Sequence, residues 1–575
     1  MSQPDELPAP NVSSLALVVL VGLTVLSPWP FGSVAPLAVH LVMTVALATT
    51  AVALAWAAMG DGLRLPALPI VPLLSVLAAG IFQLLPLPPA LHAVLAPGSH
   101  AVWCPALPSV QAVLGVGAHP VSLHPAATLR AVLFGSGLLG LGLVAAPALA
   151  RASNGIVSAA AVTAGGTAVA TYGILARARF GTLLYGRIAV PTVSPFGPFV
   201  SKNHFAGYVG MAALLAVGLA VALANRRNGR PWTTGRRAGG VVLSLVAALA
   251  MALSVLVSLS RAGAVSLAVG ALALVALQVW GRRGDTRIGP LLPSLIVAAA
   301  FAMLLLLVLP PEAHDRLRSL AGSSFRLDTW RDTIRMAASS PWVGHGLGGF
   351  EDAYPRFKRG HGELRVEHAE NDYLETLAEA GLPALGLALA GMALSAARVL
   401  AIRRPSAQRA LVAGALAGLV ALLTHSAFDF NLRIPSNAIL AVFFASVVSA
   451  SAPPRAVSPV ATRAAALVFG LATLIVLLRP AFLADPSESW ESARNEAGMA
   501  AASTAPEAKT LRLERTERAL EAVLRRRPAH AEAWLLLAAT RTERGDPSAR
   551  ELARHAAFLD PERADLRRAA EALDR

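Results

Sequence analysis

The sequence predicts an all-α, polytopic membrane protein: a bundle of transmembrane helices with one large extramembrane loop and a helical tail. Three observations carry the prediction. Of 575 residues, 55% are hydrophobic and 14% charged, against about 25% charged in an ordinary soluble domain. Mean hydropathy is +0.59. Apolar stretches of roughly 20 residues, the length a helix needs to cross a bilayer, recur from residue 12 to residue 478.

In chain order the spans are expected near 13–28, 34–58, 66–86, 128–148, 153–176, 203–224, 238–259, 262–280, 289–310, 373–397, 408–427, 434–450 and 459–478. Residues 1–178 form the N-terminal spans, 179–450 a core that includes the loop 311–372, 451–484 the last span and 485–575 a charged helical tail. Several spans are rich in Ala and Gly, as from Ala159 to Gly173 and from Ala384 to Gly391, which permits close helix approach. The single cysteine, Cys104, excludes an internal disulfide and a multi-cysteine metal site. No metal, cofactor or nucleic-acid partner is expected.

Basic residues in short loops set the orientation. Counting alternately from a cytoplasmic N-terminus, one side receives Arg64, Arg151, Arg226, Arg227, Arg230, Arg236, Arg237, Arg282, Arg283, Arg287, Arg403, Arg404, Arg409, Arg455 and Arg463. That side is read as cytoplasmic, with the tail on the outer side. The outer loop 87–127 has no Lys or Arg, whereas 177–202 fits less well, with Arg177, Arg179, Arg187 and Lys202. The outer segment 311–372 departs further, carrying Arg316, Arg318, Arg326, Arg331, Arg335, Arg356, Lys358, Arg359 and Arg365. Long loops translocate regardless of charge. Such density on an outer loop points to an anion bound at the membrane surface, with a solvated basic loop as the plainer reading.

Other polar groups are expected on the same rim. Ser258-Leu259-Ser260-Arg261-Ala262-Gly263 joins two apolar spans and leaves Arg261 almost no loop to escape into. The segment before residue 205 brings Lys202 and His204, and the turn after residue 424 brings His425, Asp429 and Arg433. Taken singly, each could snorkel or cap a helix; together they describe a polar, outward-facing cavity. Guanidinium forks hold phosphate oxygens in pairs, so the cavity suits a diphosphate whose lipid tail lies in the bilayer, such as a polyprenyl-diphosphate sugar. Fixed cations in a water-poor site stabilise the departing diphosphate without a metal. A base is then needed for the attacking hydroxyl. Glu370 and His368, in Val366-Glu367-His368-Ala369-Glu370-Asn371-Asp372-Tyr373-Leu374, are the candidates; the alternative is that Glu370 and Asp372 simply favour a helix N-terminus.

These segments, taken in order, resemble the O-antigen ligase and polymerase superfamily. The resemblance rests on Ser258-x-Ser260-Arg261-Ala262-Gly263, Arg326-Leu327-Asp328-Thr329-Trp330, Pro341-x-x-Gly344-x-Gly346-x-Gly348-x-Phe350, His368-Ala369-Glu370-Asn371-Asp372-Tyr373-Leu374 and Gly381, and is strongest over 195–450. Lys202-Asn203-His204-Phe205-Ala206 is similar to a further block of the family, and Leu123-His124-Pro125-Ala126-Ala127-Thr128 to a segment of exopolysaccharide-type members. The resemblance implies a metal-independent glycosyltransferase of the GT-C kind, which moves glycan from undecaprenyl diphosphate to an acceptor hydroxyl at the periplasmic face of the bacterial inner membrane. It gives Arg261 and Arg326 to the diphosphate, with Trp330 a neighbouring packing residue; from the residues themselves, Lys202 and His204 are read as further diphosphate ligands and Asn371, Asp372, Trp330 and Asp429 as supporting residues. One departure stands out: Glu370 occupies the place where the ligase pattern has a His, with Asn371 and Gly381 keeping their spacing. The family's base assignment therefore does not transfer; Glu370 is the preferred base, with His368 as its partner or substitute. Glycines 344 to 349 have no preceding strand and no βαβ unit, so they read as a shaped turn and not a dinucleotide loop.

In the tail, Ala531-Glu532-Ala533-Trp534-Leu535-Leu536-Leu537 with Gly545, Ala553 and Asp560-Pro561 resembles a tetratricopeptide repeat. So few repeats bury little core alone; packing on the bundle or on a polysaccharide-assembly partner would supply the rest, and a plain helical hairpin is the alternative. Two other functions fit a polar cavity in a membrane bundle. A flippase for lipid-linked glycan would also need arginines but should show broken helices or inverted repeats, and a non-catalytic scaffold would not need Arg261, Arg326 and Glu370 together. Ligase and polymerase are not separated, nor are glycan, lipid and protein acceptors.

Overall fold

The computed structural model describes residues 12–60, 62–67, 74–190, 194–225, 235–280, 324–360, 362–402, 406–478 and 487–574. The expected span 289–310, Arg316 and Arg318 of the loop, and Arg226, Arg227, Arg230, Arg282, Arg283, Arg287, Arg403 and Arg404 lie outside the described residues, as does part of the expected span 66–86.

In chain order the helices are α1 (Val12–Leu26), α2 (Pro36–Met59), α3 (Ser75–Gln83), α4 (Pro89–Leu95), α5 (Pro97–Trp103), α6 (Pro108–Leu114), α7 (Pro125–Leu149), α8 (Ala152–Phe180), α9 (Lys202–Ala224), α10 (Gly235–Val257), α11 (Arg261–Trp280) and α12 (Ser324–Ser339). They continue with α13 (Phe350–Ala353), α14 (Asp372–Ala380), α15 (Leu382–Ala401), α16 (Ser406–His425), α17 (Pro435–Ser449), α18 (Pro459–Leu478), α19 (Ser487–Ala501), α20 (Pro506–Arg526), α21 (Ala531–Glu543), α22 (Ala549–Leu559) and α23 (Ala564–Asp574). Two short antiparallel ribbons complete the fold, pairing Leu65 with Arg455 and Leu87 with His119. Nine helices among the described residues are long and apolar enough to cross a membrane, and α1 and α17 are shorter apolar helices. The all-α polytopic class stands.

Two spans differ from expectation. Of 66–86, the described helix α3 has only nine residues, and Pro66 and Pro86 lie in the two ribbons. The apolar run expected from residue 373 to 397 is two helices: amphipathic α14 ends at Ala380, and the membrane-length α15 starts at Leu382. Gly381 between them has φ +83°, a conformation that a side chain would strain.

The chain divides into two compact units. The first comprises residues 1–69, 134–318 and 392–478, and the second 70–133, 319–391 and 479–575. The first unit is the apolar bundle. Its axis is α9, buried along nearly its whole length among α8, α10, α11 and α16. Small residues make this possible: a Cβ on Gly218 would lie 2.9 Å from the Gly414 Cα of α16, and one on Gly166 of α8 would lie 2.7 Å from the Ala212 Cβ. The Ala159–Gly173 stretch thus packs closely, as its composition suggests. Ala384–Gly391 differs, because most of that face of α15 is exposed and Gly386 has nothing near its Cβ position.

The second unit gathers three separate stretches of chain around one core. Val102, Trp103, Val110 and Val113 from α5 and α6 pack with Met336, Phe350 and Tyr354, and with Leu520, Trp534, Leu537 and Leu552 of the tail. The tail's five helices therefore complete their core against the chain's own loop. Polar groups lock the arrangement. Buried Asp352 accepts from His124 Nδ1 at 2.5 Å and from Arg527 Nη2 at 2.5 Å and Nε at 3.1 Å. Lys358 pairs with Asp560 at 3.0 Å, both buried, and the Arg356 guanidinium lies 4.4 Å from the Phe558 ring centre.

Candidate functional site

The candidate residues fall into two groups, one in each unit. In the second unit they lie on α12, on the strand-like approach to α14, and on α14 itself. Asn371 starts α14: its φ of −165° is extended, and its Oδ1 accepts from the backbone N–H groups of Tyr373 and Leu374, each at 3.0 Å. Asn371 is thus the cap, and not Glu370 and Asp372, the alternative the sequence offered. Asp372 is buried in the first turn of α14, where a carboxylate favours the helix dipole.

Freed from capping, Glu370 stands just before the helix with φ +54°, uncommon for a residue with a side chain. Its Oε2 accepts from Arg326 Nη2 at 3.1 Å, and both side chains keep about a third or less of their surface exposed. Arg326 and Trp330 are four residues apart on α12, so they share a face. The Trp330 indole Nε1 is buried and has no hydrogen-bond partner among the described residues.

His368 is held by a residue the sequence reading passed over. Glu375, one turn into α14 and almost wholly buried, places Oε1 2.9 Å from His368 Nδ1 and accepts from the Ala369 backbone N–H at 2.9 Å through Oε2. An ionised carboxylate only accepts, so Nδ1 carries the imidazole proton and the basic lone pair lies on Nε2. The seven-residue separation hid this pairing, which the bend at Glu370, with φ +54°, makes possible just before the helix.

The glycine-rich segment underlies this geometry. Gly344, Gly346 and Gly348 all have positive φ, and the turn folds onto the end of α14, where His345 N donates to Ala378 O at 3.1 Å, Gly346 N to Glu379 O at 3.1 Å and Leu382 N to Pro341 O at 2.8 Å. A Cβ on Gly344 would lie 2.1 Å from Glu379 O. It is a shaped turn, as expected. Buried Gln83 of α3 spans it, donating to Val343 O at 2.5 Å and Glu379 O at 2.6 Å and accepting from Leu347 N at 2.8 Å. On α12 itself, Asp332 anchors Arg335, the Tyr354 hydroxyl at 3.2 Å and the Arg359 N–H at 2.9 Å. Burial lowers His345 to about 4, so its ring is a neutral packing element.

In the first unit, the hairpin between α10 and α11 reverses through Leu259 at φ +57°. Ser260 Oγ donates to Asn203 Oδ1 at 2.8 Å and accepts from Gly263 N at 3.2 Å, fixing the start of α11 against the start of α9. Gly263 admits this contact, since a Cβ there would lie 2.5 Å from the Ala206 Cβ. Arg261 is exposed at the first position of α11. It acts electrostatically on Lys202, as does Arg177 at the end of α8. Arg177, which fitted the charge count poorly, thus joins Arg261 and Lys202 in one group of cations.

His204 belongs to a buried layer behind them. Its Nε2 lies 3.3 Å from Asp429 Oδ1, and its ring meets Phe430 edge-on at 4.8 Å. Burial would raise the Asp429 carboxyl, but His204, His425 and the Phe430 N–H outweigh it and hold the group at about 2. Asn437 Nδ2 donates to Asn431 Oδ1 at 2.7 Å and to His204 O at 3.1 Å. His204 and Asp429 are thus buried, whereas Lys202 is half-buried and Arg261 exposed.

Residues 246–389 match the family model of the O-antigen ligase domain. Arg261, Arg326, Trp330, His368, Glu370 and Glu375 all lie within that stretch. Among curated proteins, none matches the chain.

Proposed function

Because residues 246–389 carry an O-antigen ligase domain, which places the chain in the O-antigen ligase and polymerase superfamily and in cell-surface glycan assembly, we propose that it transfers glycan from a polyprenyl-diphosphate carrier to an acceptor hydroxyl. The observation that carries this reading is the second unit's constellation: a guanidinium and an unpartnered indole N–H one turn apart, with an oriented imidazole on the segment that holds the guanidinium's counter-ion. Arg326 would bind the diphosphate and Trp330 donate to it or to the sugar. The cations of the first unit, Arg261 and Lys202 with Arg177, have the same chemistry and are proposed as diphosphate ligands in their own right.

In the reaction, the acceptor oxygen attacks the anomeric carbon, and the bond from that carbon to the diphosphate breaks with its electrons leaving on the phosphate oxygen. Cations stabilise that charge, so the step requires no metal. The hydroxyl proton passes to the base. Two side chains can serve. Glu370 has the predicted position, and its Oε2 accepts from Arg326; His368 has an oriented ring, and Glu375 steadies the imidazolium that forms. We favour His368 as base and Glu370 as the residue positioning Arg326. The acid limb of the pH profile separates them, since an imidazole starts near 6.5 and a glutamate near 4.3.

The chain is a multi-pass bacterial membrane protein. The inner membrane, a cytoplasmic N-terminus and a periplasmic tail are proposed from the arginine distribution. The tetratricopeptide-like reading of the tail, with a polysaccharide-assembly protein as its partner, is likewise proposed; the five consecutively packed helices support it. Transfer by purified protein in detergent is the test. Release of polyprenyl diphosphate with glycan appearing on an acceptor supports the proposal, and its absence with intact folding returns the flippase and scaffold readings. Arg326→Ala and Arg261→Ala should each abolish transfer while membrane insertion persists; near-normal turnover in both removes the diphosphate assignment.

A further inference from the structure

Outside the groups described above, α4 and α5 bring together three metal-ligating side chains. His92 on α4, His100 on α5 and Cys104 directly after α5 have one ligand atom each within 4.8 Å of the others. His100 and Cys104 are four residues apart, and the Cys104 N–H donates to His100 O at 2.8 Å, so the helical turn carries both onto one face. His92 faces His100 edge-on, with ring centres 5.5 Å apart.

A second observation points to a ligand. His92 is completely buried, yet neither of its ring nitrogens has a hydrogen-bond partner among the described residues, and His100 Nδ1 is in the same position. Buried polar atoms are normally satisfied. One orphaned imidazole is the mark of a packing compromise, but two facing each other beside a thiol have the donor set of a transition-metal site. Donor atoms around tetrahedral zinc lie about 3.3–3.8 Å apart, so closing the present spacing takes side-chain rotation and not backbone movement.

The geometry points to a zinc site formed by His92, His100 and Cys104, with water in the fourth position. On binding, two imidazole nitrogens and the sulfur form bonds to the ion, and the thiol proton passes to solvent. The site would fasten together α4 and α5, two helices of seven residues each, too short to hold their form alone. It would also fix Gly98 of α5, whose carbonyl accepts from Arg356 at 2.7 Å and whose N–H donates to Ser340 Oγ at 3.2 Å, just ahead of the glycine-rich turn. This inference is independent of the glycan-transfer reading, because none of the three ligands is assigned a part in transfer.

The test uses the full-length protein purified in detergent, stripped with a chelator, dialysed against zinc and then against zinc-free buffer. About one zinc ion per chain should remain, with cobalt substitution giving a thiolate-to-cobalt charge-transfer band. Cys104→Ser should lose the band and most of the metal, and His100→Asn most of the metal; Cys104→Ser removes one ligand at nearly constant volume, so folding is preserved. Zinc retained equally by the unmodified protein and both variants, or no zinc retained by any of them, overturns the site.

Discussion

Replacing Glu375 by Gln tests whether a buried carboxylate sets the base. The change conserves shape, but an amide has one accepting end and one donating end. Glu375 now accepts from both His368 Nδ1 and the Ala369 N–H, each at 2.9 Å. The amide oxygen can satisfy only one of them. If it keeps the Ala369 N–H, the NH₂ group faces His368 Nδ1 and demands an acceptor there, which moves the ring proton to Nε2 and removes the basic lone pair from the catalytic position. The turnover rate should then fall by about 10²–10⁴, the usual worth of a general base, with substrate binding little changed because Arg326 is untouched. Exchanging two charge-assisted hydrogen bonds for neutral ones should also cost about 1 kcal/mol of stability. Release of polyprenyl diphosphate at saturating donor measures the first effect and thermal unfolding the second. A folded variant with turnover within about threefold of normal, well short of a lost general base, refutes His368 as the base and returns Glu370 to that role.

Other consequences follow from the same packing. Gly381→Ala and Gly344→Ala should each destabilise the protein by about 1–3 kcal/mol or more, since both glycines have positive φ and a Cβ would lie 2.4 Å from Trp342 O in one case and 2.1 Å from Glu379 O in the other; unfolding midpoints in detergent check this. Asp352→Asn should cost about 3–5 kcal/mol by leaving Arg527 buried without its counter-charge, seen as faster proteolysis of the tail. The pH dependence has a definite sign. Burial opposes ionisation of Asp352, but the charges and hydrogen bonds of His124 and Arg527 prevail and hold its carboxyl well below the usual carboxylate range. A depressed carboxyl stabilises fully above its unfolded value near pH 3.9, and that contribution is lost as pH falls below it towards the folded value. Thermal stability measured from pH 7 downward should therefore show an acid limb below about pH 4 that Asp352→Asn diminishes.

Hydropathy and length alone determined the membrane class, because a bilayer leaves no alternative to roughly 20 consecutive apolar residues. The turn character of glycines 344 to 349 was also legible, and Arg261, Arg326, His368 and Glu370 stood out as candidates, since charge near apolar spans is rare enough to be noticed one residue at a time. Partnership was not legible. Glu375 looked like one more polar residue of an amphipathic helix, and its hold on His368 depends on the bend at Glu370. Asn371, not Glu370, proved to be the cap, a choice made by backbone dihedrals that local composition does not encode. Asp352, His124 and Arg527 are hundreds of residues apart in part, and only the tertiary fold reveals that the tail's missing core is supplied by the loop and by α5 and α6. Local patterns report what each segment can do in a given solvent, whereas ion pairs, tautomers and buried ligand sets depend on which distant segments exclude water from one another.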